Sequence, residues 1–286
     1  MSIHSRRGVS DVPGALRAIK TLGTGPASSL DSEDPVFVLA AGWRTGSTML
    51  QRMLLTDSRI LVWGEPYGPM ELWASLSRCL EWVSEEQLGS RLFLDDDLGE
   101  LSDKFVANLY PDPENLRLSF QRLAYDLLGA PAKRAGYTRW GMKEVRLDAA
   151  DALMLHWLFP RARFLFLVRN PFEAYASMRP MKMWREWRDS PRRGVKRHAR
   201  YWNSIACSWS LLPPDFPKRV MRYEQLVLGE GVAEMAEWAN LDIDASRVLD
   251  NRVGSTKKKV SLTDLETELI AQHCSAGIEA FDYHPP

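Results

Sequence analysis

Two continuous apolar runs stand out along the chain, Val36-Phe37-Val38-Leu39-Ala40-Ala41 after Pro35 and Phe164-Leu165-Phe166-Leu167-Val168 after Arg163. Runs without polar alternation predict strands buried on both faces, as in a parallel sheet covered by helices. Shorter segments at Ile60-Leu61-Val62-Trp63 and Arg219-Val220-Met221-Arg222-Tyr223 predict two further strands. Leu116, Phe120, Leu123 and Leu127 instead recur at helical spacing, and Met49–Leu55, Ala150–Leu158 and Phe172–Met178 read as helices as well. Strands alternating with helices imply an α/β fold on a parallel sheet, with right-handed crossovers. Residues 1–34 are rich in Gly, Ser and Pro with weak periodicity, which predicts a poorly ordered N-terminal arm with one short helix around Gly14–Thr21. A single domain then occupies 35–286, and the helical section 72–130 reads as a cap or insertion beside the cleft.

Composition narrows the function classes. The formal net charge of +0 removes a whole-protein electrostatic argument for nucleic acid or an anionic membrane. Cys79, Cys207 and Cys274 are odd in number and lack metal-ligand spacing, so they read as thiols of a reducing, cytoplasmic compartment. No apolar run reaches membrane-spanning length, and no signal peptide is evident.

The segment Gly42-Trp43-Arg44-Thr45-Gly46-Ser47-Thr48 lies between a predicted strand and a predicted helix. A glycine there lets the backbone approach an anion, and the first N–H groups of the helix then face it with the dipole behind them. The hydroxyls of Thr45, Ser47 and Thr48 add donors and Arg44 adds a fixed cation. No Lys follows Gly46, so this is not the loop of nucleoside triphosphate hydrolases, with its hydroxyl on Mg²⁺. On its own the segment is equally an ordinary turn between strand and helix.

Arg44-Thr45-Gly46-Ser47-Thr48 resembles the 5′-phosphosulfate loop of the sulfotransferase family. Leu167-Val168-Arg169-Asn170-Pro171 with Ser177, eight residues after Arg169, resembles the same family's 3′-phosphate signature. Arg222-Tyr223-Glu224-Gln225-Leu226-Val227, Val253-Gly254-Ser255-Thr256-Lys257 and Phe281-Asp282-Tyr283-His284-Pro285 are similar to later family segments. The resemblance runs from Pro35 to the C-terminus, with nothing matched in 72–130. It implies a P-loop type α/β domain and a metal-free reaction using 3′-phosphoadenosine 5′-phosphosulfate as co-substrate. It further implies that Arg44, Thr45, Gly46, Ser47, Thr48, Arg169, Ser177, Tyr223, Ser255 and Lys257 bind this donor.

Trp63-Gly64-Glu65-Pro66 resembles the segment that carries a Glu base in one branch of the family, including tyrosylprotein and bacterial carbohydrate sulfotransferases. A carboxylate at a strand end beside aromatic rings is expected to have a raised pKa and to serve as base. The alternative makes Glu65 a helix N-terminal residue stabilising a helix over 66–76. Lys143, in Gly141-Met142-Lys143, resembles a family lysine that approaches the transferring group; otherwise it is a surface residue of a short strand. With Arg44 it would neutralise the leaving phosphate, leaving Arg146 for an acidic substrate. Trp202 reads either as a nucleotide neighbour or as core. His156, His198 and His273 lie on predicted helices and read as structural. The basic stretch 179–200 is either an electropositive lid or an exposed loop broken by Pro191 and Gly194.

The expected partner is a small-molecule or carbohydrate acceptor, with no nucleic acid and no membrane span, and homodimerisation left open. Two rivals remain: a kinase or nucleotide hydrolase on the same architecture, and a non-catalytic module that binds adenosine 3′,5′-bisphosphate.

Overall fold

The computed structural model describes residues 11–80, 83–93, 99–181, 191–250 and 261–285. Five strands, β1 (Val36–Ala40), β2 (Ile60–Trp63), β3 (Arg139–Glu144), β4 (Arg163–Val168) and β5 (Lys218–Arg222), pair in the order β2-β3-β1-β4-β5. Every pairing is parallel. Among the described residues the α-helices run in chain order as α1 (Val12–Leu22), α2 (Ser47–Leu54), α3 (Leu72–Leu80), α4 (Glu85–Gly89), α5 (Glu114–Ala124), α6 (Ala130–Arg134), α7 (Ala149–Leu158), α8 (Pro171–Met178), α9 (Pro191–Ser208), α10 (Tyr223–Leu226), α11 (Val232–Ala239), α12 (Ser246–Leu249), α13 (Asp264–His273) and α14 (Ser275–Ala280).

The side-chain alternation of the strands sorts these helices into two layers. Phe37, Leu39, Trp140, Met142, Phe164 and Phe166 face one core, filled from α1, α3, α5, α7, α8, α9 and α13. Val36, Val38, Ala40, Leu165, Leu167 and Met221 face the other, filled from α2, α11 and α12. Each such side chain fully withdrawn from water contributes roughly 1.5–3 kcal/mol, so the two faces hold the sheet between them.

Three regions go beyond the sequence reading, the first of them where a short helix is expected. The N-terminal segment forms α1 and sinks Val12, Ala15, Ala18 and Leu22 into the larger core, beside α3 and α7. Within 72–130, α3 and α5 pack on the same sheet face through Trp73, Leu80 and Ala124, while Phe105, Val106 and Tyr110 stay exposed. From Pro191 the chain is helical rather than a broken loop, because Val195, His198, Ala199 and Trp202 put one face of α9 into the core. Lys182, Arg185 and Arg188 of the basic stretch lie outside the described residues.

β3 is the least obvious strand in the sequence, and it is an inner one. It pairs with β1 and β2, and Arg139, Lys143 and Glu144 are buried with it. Arg139 is accommodated because its guanidinium donates to the backbone carbonyls of Asp34 and Ala239. No described helix is long and apolar enough to cross a membrane.

Candidate active site

The carboxyl ends of all five strands supply the site. Arg44 follows β1, Glu65 follows β2, Lys143 closes β3, Arg169 follows β4 and Tyr223 follows β5. β1 sits at the centre; the chain runs from it to β2 and β3 on one side, then crosses from β3 to β4 and β5 on the other. In an open parallel sheet that reversal opens a crevice at the strand ends, where ligands bind.

One half of the site, where the sequence reading expects the donor, is built on the turn from β1 into α2. Gly46 is the N-cap of α2 with φ 89°, and a side chain there would run into the Tyr223 ring. Glycine is therefore required twice, for the left-handed backbone and for the ring behind it. Arg44 also lies in the left-handed region, at φ 64°, a conformation that costs a non-glycine residue about 1–3 kcal/mol. Two contacts hold it there: its Nε donates to Ser177 Oγ at 3.1 Å, and Arg169 Nη1 donates to its carbonyl at 3.0 Å. The Arg169 guanidinium lies over the Tyr223 ring at 4.2 Å, and its Nε is buried without a hydrogen-bond partner. Among the described residues no side chain caps the N-terminus of α2.

Arg44, Gly46, Arg169, Ser177 and Tyr223, separated by up to 179 residues in sequence (223 − 44), are thus one cluster. The hydroxyl of Thr45 does not join it. Thr45 is fully buried and donates to Gly42 O at 3.1 Å, bracing the loop rather than facing a ligand. Ser47 is buried at the first position of α2, and Thr48 is exposed beside it. Ser255 and Lys257 lie outside the described residues.

A buried scaffold stands behind the cluster. Trp202 is a core residue whose indole N–H donates to Arg169 O at 3.0 Å, so it places Arg169 through the backbone. Glu224 accepts from Asn170 N–H at 2.9 Å and from the Tyr283 hydroxyl at 3.0 Å. Asn170 Nδ2 in turn donates to His284 O at 2.9 Å. The Arg-Asn-Pro, Tyr-Glu-Gln and C-terminal segments therefore meet in one hydrogen-bonded clamp.

The other half of the site is a network of charges. Lys143 Nζ donates to Glu65 Oε1 at 2.6 Å, and Arg146 Nη1 donates to Glu65 Oε2 at 2.8 Å. Burial alone would raise the Glu65 carboxyl. The hydrogen bond and charge of Lys143, then the charge of Arg146, outweigh it and hold the group below its usual range. The raised value expected from the sequence is thereby corrected. The helix N-terminal alternative fails too, because the first α-helix after Glu65 begins only at Leu72. Lys143 is buried and paired, which removes the reading of a surface lysine.

Sequence reasoning missed Glu144. It is 1% exposed, accepts from Arg146 Nη1 at 2.7 Å, and its carboxyl is pushed up by burial against the opposing charge of Arg146. The charged run Lys143-Glu144-Val145-Arg146, close to Gly-Glu in space, was the available signal. Among the described residues no group of three or more His, Cys, Asp or Glu side chains is placed to hold a metal.

The model of the Sulfotransferase family matches residues 35–242, well over half of the chain. The chain belongs to the sulfotransferase family. No curated protein sequence matches it. Its fold is similar to the sulfotransferase domain from the curacin biosynthetic pathway, with TM-score 0.53 and 16% identity over 89% of this chain and 99% of that one. The sulfotransferase domain of the Synechococcus PCC 7002 olefin synthase (TM-score 0.49, 16% identity, 90% and 98% covered) and sulfotransferase STF9 from Mycobacterium avium (0.47, 16%, 99% and 82%) are also among its structural neighbours. At such identity the likeness of this sulfotransferase to the curacin domain concerns the fold alone.

Proposed function

We propose that this sulfotransferase moves a sulfuryl group from 3′-phosphoadenosine 5′-phosphosulfate to a hydroxyl of a carbohydrate, lipid-linked or natural-product acceptor, with Glu65 as base. The carrying observation is the convergence of Arg44, Arg169, Ser177 and Tyr223 on the uncapped N-terminus of α2. A partly buried guanidinium, its Nε without a hydrogen-bond partner among the described residues, beside the first N–H groups of α2 fits a ligand with two separated anionic groups. Arg44 and the first turn of α2 would hold the 5′-phosphosulfate; Arg169 and Ser177, backed by Tyr223, would hold the 3′-phosphate. The donor supplies an activated sulfuryl group with a phosphate as leaving group.

The chain's own residues then have separate tasks. Glu65, ionised at neutral pH, takes the proton of the acceptor hydroxyl while that oxygen forms its bond to sulfur. The bond from sulfur to the phosphate oxygen breaks, its electron pair stays on that oxygen, and Arg44, Lys143 and the α2 dipole meet the charge that develops there. Lys143 Nζ carries three N–H donors, so it can turn one toward that oxygen, and releasing Glu65 as it does so frees Oε1 to accept a proton. The unpaired Cys79, Cys207 and Cys274 fit a reducing, cytoplasmic setting.

Calorimetric titration with adenosine 3′,5′-bisphosphate, with AMP and ATP–Mg²⁺ alongside, tests this reading. Tight bisphosphate binding, weaker AMP binding, and loss of binding in Arg169→Ala are expected. Preference for ATP–Mg²⁺ would sink it in favour of a kinase-like activity. Bisphosphate binding without turnover on any hydroxyl would point to the non-catalytic module.

A further inference from the structure

Glu144 and Arg146 have no task in the reaction just described, yet they are among the most firmly built groups of the site. Arg146 Nη1 reaches both carboxylates, Glu144 Oε1 at 2.7 Å and Glu65 Oε2 at 2.8 Å. Its guanidinium lies over the ring of Trp43 at 5.6 Å, and Trp43 stacks on Tyr201 with centroids 4.9 Å apart. Trp43 belongs to the phosphate loop, so Arg146 joins the acceptor side to the donor side. Gly68 closes the remaining flank: its N–H donates to Glu65 O at 3.2 Å, and a side chain at Gly68 would run into Arg146 and Glu144.

We propose that Arg146 is a positioning residue that fixes the Glu65 carboxylate relative to the phosphate loop, with Glu144 as its counter-anchor. The inference rests on Glu65 being the base. Each oxygen of Glu65 has its own cation: Oε1 is held by Lys143 and Oε2 by Arg146. When Lys143 moves to the donor, Oε1 is released for the proton while Oε2 stays pinned. A base held by one oxygen keeps its orientation, which a free glutamate with three rotatable bonds would lose. Glu144 has a second effect. Because Arg146 is shared between two carboxylates, its charge is partly spent on Glu144, and Glu65 is left more basic than an exclusive pair would leave it. Lys143, Arg146 and Glu144 are the charged groups that bear on Glu65 in this network.

The test uses the full chain with Arg146→Met, Arg146→Lys, Glu144→Gln and Glu65→Gln. Three quantities are measured: bisphosphate affinity by calorimetry, titration of the Glu65 carboxyl carbon by NMR in the free protein, and donor cleavage with water or added 4-nitrophenol as acceptor. Arg146→Met is expected to keep bisphosphate affinity within about twofold. Its Glu65 titration should move upward and its cleavage should fall about 10²-fold. Arg146→Lys should restore part of the rate and return the titration toward that of the unaltered protein. Glu144→Gln should move the Glu65 titration downward, since Arg146 then belongs to Glu65 alone. An unmoved titration and a cleavage rate within about twofold in Arg146→Met would overturn the proposal. Loss of bisphosphate affinity in step with cleavage would overturn it too, by making Arg146 a donor ligand. Full cleavage by Glu65→Gln, or none by the unaltered chain, would refute the base and not the anchoring, which then stands or falls on the titration.

Discussion

The two halves of the site, proposed to take donor and acceptor, handle charge in opposite ways. On the donor side Arg44 donates to a neutral hydroxyl, and Arg169 spends its charge on a tyrosine ring and on Glu173, half exposed at 3.1 Å. Positive charge is left over, next to a helix N-terminus, for an anion to claim. On the acceptor side Lys143 and Arg146 are matched against Glu65 and Glu144, so the charges cancel within the protein. A pocket with surplus charge binds; a pocket with balanced charge must rearrange to act. In the proposed reaction it is therefore the Lys143–Glu65 pair of the acceptor side that rearranges.

Glu65→Gln is the sharpest way to separate the halves. It keeps the shape of the side chain and removes its capacity to take a proton, so turnover should fall about 10²–10⁴-fold. Bisphosphate affinity, measured by calorimetry on the same protein, should stay within about twofold, because the donor cluster does not touch Glu65. A parallel fall in both quantities would mean that the halves are one site, and the comparison would collapse.

Arg169→Ala should give the reverse pattern. Charge-assisted hydrogen bonds contribute about 1.5–3 kcal/mol, which corresponds to roughly 10–100-fold in bisphosphate affinity. AMP, which lacks the 3′-phosphate, should lose much less. Equal losses for the two ligands would move the 3′-phosphate away from Arg169.

Acidity distinguishes the two carboxylates within the acceptor side itself. Glu65 is held below its ordinary value, 4.5, so its ionised form stabilises the fold at higher pH, and that contribution is lost as pH falls through the folded-state value. Glu144 is raised by burial, so the unfolded chain ionises first and stability declines as pH rises from 4.5 through its folded-state value. Denaturant titrations across this range should show a shallower decline in Glu144→Gln than in the unaltered chain. The acid limb of kcat/KM should lie in or below the ordinary carboxylate range, not near neutrality. A limb near neutrality would mean that Glu65 is released from its cations before the rate-limiting step.

Much of this was legible from residue order, and what was not has a common cause. The runs at Val36–Ala40 and Phe164–Val168 announce buried strands because nothing in them needs a partner. β3 reads Arg-Trp-Gly-Met-Lys-Glu, and its polar positions suggest solvent until Asp34, Ala239 and Glu65 arrive from elsewhere in the chain, and Arg146 folds back from two residues on, to satisfy them. The same holds for Glu65, the proposed base. Its position after β2 follows from residue order, but its acidity was misjudged because Lys143 and Arg146 lie 78 and 81 residues away. Thr45 is the complementary case: a hydroxyl in a loop of this pattern reads as a ligand donor, and in the folded chain it donates to Gly42 O and closes the turn. Local patterns fix what a segment can be, and tertiary partners decide which of its polar groups remain available.

The smallest effect tests the scaffold behind the donor side. Tyr283 is buried, and its hydroxyl donates to Glu224, whose other oxygen holds the backbone of Asn170, next to Arg169. Tyr283→Phe removes one hydrogen bond and leaves Glu224 with its Asn170 partner, at a net cost of about 1 kcal/mol. In a chain of this size that is a drop of roughly 2 °C in Tm, read by calorimetry. Because the Asn170 bond survives, Arg169 should keep its place, and bisphosphate affinity should change by less than about fivefold. A loss as large as that of Arg169→Ala, with Tm unchanged, would mean that the C-terminal segment touches the nucleotide directly. In that case the donor side would have no separate scaffold: the residues that close the fold would be the residues that bind.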